Sequence, residues 1–201
     1  MLEVLTQPVR FFAALQGHKP NRLVSVTVVV VATVLVLLSG QLSSRLLPTV
    51  LPDRFAGQVV VSVALGIPSG LVFWALGGAV IRLLAGRESR AWELFGWAWA
   101  PMLVLALVSL PLAALMPVTG DLPPPPAPTD AEALRQWQRQ YQEVIAAAPV
   151  TRVQQGLSLV TTLWSLWIVY SGLRVLAPAR ALLATGVVAA LSLGLLAWSL
   201  R

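Results

Sequence analysis

Residues 55–81 read FAGQVVVSVALGIPSGLVFWALGGAVI, 27 positions without one charged side chain. A bilayer core needs about 20 apolar residues in a helix. In lipid an isolated strand would leave its backbone polar groups unpaired, so the stretch is a transmembrane helix despite its valines. The same test finds four more charge-free runs, at 23–44, 94–120, 153–173 and 181–200. None alternates strictly, as the strands of a barrel would. The predicted fold is all-α: a polytopic membrane protein, a bundle of five transmembrane helices with short interfacial amphipathic helices.

Composition agrees. Of 201 residues, 57% are hydrophobic and 11% charged, and the mean hydropathy is +0.79. A water-soluble domain carries about 25% charged residues, so a soluble enzyme and a nucleic-acid-binding domain are excluded. The chain has no cysteine and one histidine. Disulfides, thiol catalysis and cysteine–zinc sites are therefore absent, and no metal site or cofactor is expected.

The first apolar run begins late, at Leu23, and reads as a retained helix rather than a cleaved signal. Ahead of it, residues 6–18 place Val9, Phe12 and Leu15 at helical spacing, with Pro8 suited to a first turn. Arg10, His18 and Lys19 accompany them. This segment is expected to be an interfacial amphipathic helix. Two of the long runs contain prolines. Pro68 is expected to bend the second span and Pro111 the third, with Pro101 at the membrane entry.

With five spans, the N-terminal arm, the second connection and the fourth connection share one side. They hold eight basic residues and three acidic ones; the opposite side holds six and five. The second group includes Arg45, Asp53, Arg54, Asp121 and Arg201. Basic residues near span ends stay cytoplasmic, so the expected N-terminus is cytoplasmic and the C-terminus external. The external connection, 121–152, starts with a proline-rich run that favours a stiff spacer. Thr129 or Asp130 is a candidate cap for an amphipathic helix carrying Leu134, Trp137, Tyr141, Val144 and Ile145. That helix is expected to lie on the outer face of the membrane, with packing across the mouth of the bundle as the alternative.

The search for chemistry finds little. The spans lack the ionisable residues that mark proton or ion paths. Zinc-protease, phosphate-loop and nucleophile-elbow motifs are missing, so the protein is expected to be no enzyme. Gly66 and Gly70 form a small-residue pair suited to close helix packing, and Gly77 and Gly78 follow. Most tryptophans fall near span ends, as interfacial belts do. A basic and aromatic stretch around Arg82, Arg87, Glu88, Arg90 and Glu93 is a candidate cytoplasmic docking patch.

Several local patterns occur in order. Pro8 precedes Arg10-Phe11-Phe12, and Gly77-Gly78 leads into the basic loop. Glu93-Leu94-Phe95 runs to Ala100-Pro101. Leu163-Trp164-Ser165-Leu166-Trp167 runs to Gly172-Leu173-Arg174, followed by Ala179-Arg180-Ala181. On these the chain resembles the Yip1-domain family of integral membrane proteins, in its bacterial form. The resemblance implies a compact five-helix membrane domain with a cytoplasmic N-terminus. It carries over no catalytic residue; Gly77, Gly78, Pro101, Trp167 and Gly172 carry over as pattern positions for packing. Eukaryotic members bind small GTPases and associate with one another. The short segment ahead of the first span leaves small-GTPase binding unexpected here. The expected function is a non-enzymatic membrane protein that organises lipids or partner proteins, itself included, in a bacterial inner membrane. A small transporter or channel built by the bundle is the alternative.

Overall fold

The computed structural model describes residues 2–45, 55–115, 126 and 129–199. Among them there is no strand. Asp53, Arg54, Asp121, Arg201 and nearly all of the proline-rich run lie outside the described residues, as does the side chain of Arg45.

The helices are α1 (Leu2–Thr6), α2 (Pro8–Leu15), α3 (Arg22–Arg45), α4 (Phe55–Ala85), α5 (Ala91–Trp97), α6 (Ala100–Leu115), α7 (Ala131–Ala147), α8 (Pro149–Leu176) and α9 (Ala181–Ser199). Short 3-10 turns, Arg87–Ser89 and Pro178–Arg180, precede α5 and α9. Among the described residues, five segments are long and apolar enough to cross a membrane: α3, α4, the α5–α6 pair, α8 and α9. Their outer surface is apolar. Leu65 is 68% exposed and Leu182 76%, which suits contact with lipid tails and would be costly in water.

Several hydroxyls inside the spans serve their own helices. Ser25 donates to the Arg22 carbonyl, Thr27 to Leu23, Ser39 to Val36 and Thr161 to Leu157. Where no water is at hand, a carbonyl one turn back is the available partner.

Helices α3 and α4 meet as an antiparallel pair: Gly66 lies against Leu37, and Gly70 against Thr33. Helix α3 also packs on α5 and α6, while α8 packs on α2, α6 and α9. The most deeply buried large side chains include Phe12, Ile81, Leu94, Ile168 and Leu173. All of these belong to one core, and it is concentrated towards one end of the bundle. The arm turn, the 86–90 loop and the α8–α9 turn gather at that end. Arg90 donates to the Leu15 carbonyl, Gln16 to Val175 and Arg180 to Leu84.

Three segments bear on the expectations. First, the helix expected over 6–18 is present as α2, Pro8–Leu15, but it packs into the core instead of resting only at the interface. Gln7 precedes a proline and is driven out of helical geometry (φ −136°, ψ 59°), which splits the arm into α1 and α2. Both lie against the side of α8. The Trp164 indole donates to the Leu5 carbonyl and the Gln16 amide to that of Val175, each bond joining residues 159 apart. A constant offset means the two segments run parallel, so the arm follows α8 for about 16 Å. Phe12 is only 1% exposed.

Second, Pro68, where a bend is expected, lies inside α4 without ending the helix. The Ser69 hydroxyl donates to the Leu65 carbonyl, next to the carbonyl that a proline nitrogen leaves unserved.

Third, 94–120 is not one helix. The chain turns at Ala98–Trp99, between α5 and α6. Pro101 lacks the N–H that Trp97 would need four residues on, and its ring crowds that carbonyl. Tighter bonds replace the regular ladder there, Trp99 N–H to Gly96 and Met102 N–H to Trp99. Pro111 lies inside α6 without ending it.

On the far side of the bundle, Asp130 caps α7 by accepting from the Ala133 amide at 3.0 Å. No residue of α7 is buried. Its half-buried side chains Tyr141, Val144 and Ile145 pack on Ala148 and Val150, at the start of α8. Trp137 stacks on Tyr141 with ring centres 5.3 Å apart. Burial raises the Tyr141 phenol pKa above its ordinary value, so the ring stays neutral at physiological pH.

Candidate functional site

Two features stand out: a basic end and an apolar groove. The basic end begins with the loop after α4. Gly86 and Arg90 both have positive φ, 87° and 48°. For arginine the left-handed region costs about 1–2 kcal/mol, and its side chain is held in return. Arg90 Nε donates to Glu93 Oε2 at 2.7 Å, and Nη1 donates to the Leu15 carbonyl. Glu93 Oε1 accepts the Asn21 amide at 3.2 Å. The side chains of Arg90 and Glu93 are 10% and 4% exposed. This ion pair therefore ties the loop to the arm and the start of α3, and neither partner is a free docking group.

Trp92 leaves the same loop and lies across α4. Its indole donates to the Ala75 carbonyl, and a Cβ at Gly78 would collide with its ring. In turn the Trp74 indole donates to the Trp92 carbonyl at 2.8 Å. The guanidinium carbons of Arg22 and Arg82 each sit 5.1 Å from the centre of the Trp92 ring, within cation–π range. Arg87 and Glu88 are exposed.

The groove has a volume of about 320 Å³ and lies between α4 and α9, over α5, α6 and α8. Phe73 and Leu195 line it and reach the outer surface, so it opens sideways rather than along the bundle axis. Its walls are mainly aromatic and aliphatic, including Phe95, Trp99, Met102 and Val188. Its polar lining comes from Thr162, Ser165 and Ser192. Thr162 is spent on the Ser158 carbonyl. The buried Ser165 hydroxyl has no hydrogen-bond partner. Among the described residues no group of His, Asp or Glu could hold a metal ion.

The small residues singled out by sequence are close-approach points. Gly77 faces the edge of the Phe95 ring, and Gly172 faces Leu94 and Phe12. Trp167, another pattern position, is 44% exposed and points outward.

The Yip1 domain family model matches residues 2–200. This chain belongs to the Yip1 domain family. No curated protein and no solved structure matches it. In this Yip1-domain protein, sequence reasoning picked out Arg82 and Arg87 but missed Arg22, which reaches the same ring from another helix. It also missed Gly96, where a Cβ would press on Ser25, and the whole of the groove. Gly96 stands alone in its local pattern, and the groove is lined by five helices; neither has a signature in consecutive residues.

Proposed function

We propose that this Yip1-domain protein is a non-enzymatic membrane protein that organises lipids, taking a single acyl chain into its lateral groove. The supporting observation is the groove itself. It opens at an outer surface suited to lipid, is walled mainly by carbon, and holds the buried, unpartnered hydroxyl of Ser165. Apolar pockets with a few polar groups are the usual form of small-molecule sites. A hydroxyl beside an acyl chain suits an ester carbonyl. A transporter would instead need a polar route, and the groove walls do not offer one. The basic balance around the arm and the two loops supports a cytoplasmic N-terminus, in a bacterial inner membrane.

The test is photocrosslinking in native-like bilayers with a phospholipid bearing a photoreactive acyl chain. Adducts are expected to concentrate on the α6, α8 and α9 walls of the groove. Ser192→Trp, which fills the groove, is expected to abolish them. Adducts spread evenly around the outer surface and unchanged in that variant would overturn the reading.

A further inference from the structure

At the basic end, beneath the 86–90 loop, lies a second and smaller cavity of about 70 Å³. Arg22, Arg82, Arg87 and Arg90 all line it, and Glu93 supplies its only carboxylate. That carboxylate is already engaged, by Arg90 Nε and by the Asn21 amide. Among the described residues, Arg22, Arg82 and Arg87 have no ion-pair partner; the only salt bridge is Arg90 with Glu93. Three uncompensated guanidiniums therefore converge on one small space. Like charges held together are unfavourable unless an anion joins them.

A second observation points the same way. Arg90 is nine-tenths buried, and two of its three nitrogens are bound within the protein. The third, Nη2, is buried without any partner. An orphaned charged donor in a protein interior is costly, and the residue that carries it lines the cavity. Trp92 holds Arg22 and Arg82 beside the same space. The arrangement is built before any ligand arrives.

We infer that this cavity binds the phosphate of an anionic phospholipid headgroup. Phosphate oxygens match the fork of a guanidinium, and several arginines can share one phosphate. Depth favours a lipid as the source. The charge-free run of α4 ends at Ile81, so Arg82 stands where helix leaves hydrocarbon, at the level of headgroups. The inference is independent of the groove, since the two cavities share no lining residue.

The test uses the full chain, purified in detergent, with native mass spectrometry after incubation with phosphatidylglycerol or phosphatidylcholine. Wild type is expected to retain one phosphatidylglycerol in preference to phosphatidylcholine. Arg87→Gln and Arg82→Gln are each expected to weaken that retention about tenfold, as loss of a charge-assisted contact should. Arg87 is exposed, so its variant keeps the fold even if Arg82→Gln does not. Arg135→Gln, on the exposed face of α7, is expected to leave retention unchanged. Ser192→Trp is also expected to retain phosphatidylglycerol, which separates this result from the fate of the groove. Equal retention by wild type and Arg87→Gln would overturn the inference. So would binding of inorganic phosphate with no preference for phosphatidylglycerol, which would assign the cavity to a free anion.

Discussion

At the level of single residues, the protein places its glycines according to what faces them. Gly172 is pressed by Leu94 and Phe12, whereas Gly156, earlier on the same helix, has nothing within 4 Å of an added Cβ. Bulk at the first position overpacks the core and costs about 1–3 kcal/mol. At the second it replaces glycine in a helix and is expected to be neutral or mildly stabilising. Gly172→Val should therefore lower the thermal midpoint in detergent while Gly156→Ala should not; equal midpoints would show that Gly172 is no contact point. Both glycines look alike in a sequence, because a missing side chain says nothing of its neighbour. The Arg90–Glu93 pair shows the same limit. A basic loop was legible from residues 82–93, but which of its charges turn inward depends on Asn21 and Leu15, some seventy positions away.

At the level of elements, apolar content separated spans from connections, and amphipathic pattern found both the arm and α7. It did not say what each would cover. Helices α2 and α7 are both strongly amphipathic, yet their fates differ. Val4 and Phe12 of the arm are almost fully buried, while α7 buries no residue. Deleting residues 2–16 would expose the sides of Leu94, Ile168 and Leu173. That variant should lose its sharp gel-filtration peak and unfold at lower temperature. Deleting 129–147 should leave both measurements close to wild type. Collapse of the second variant would mean that α7 is part of the core. Prolines illustrate the same dependence on surroundings. Pro68 and Pro111 sit inside continuous helices and Pro101 marks a break, although each removes the same N–H.

For the molecule as a whole, five crossings require the 86–90 loop and α7 to face opposite sides. The fold agrees: the arm turn, that loop and the α8–α9 turn are tied together at one end, while α7 joins the other end of α8. Glu88→Cys and Gln138→Cys, both at exposed positions, should react oppositely with an impermeant maleimide on intact cells. Labelling is expected at 138 and not at 88. Labelling of both, or of neither, would break the five-span arrangement, and the reverse pattern would invert its orientation.

Length and lack of charge were sufficient to place the helices in lipid, because a backbone in hydrocarbon has to satisfy its own hydrogen bonds locally. That constraint acts within one segment, so it can be read from consecutive residues. The sideways groove, the inward turn of Arg90 and the arm along α8 arise between segments far apart in the chain. They depend on which faces meet when the helices pack, and many apolar faces of similar composition compete for each meeting. Side-chain shape at contacts such as Phe12 against Gly172 selects among them, and only the assembled bundle brings those shapes together.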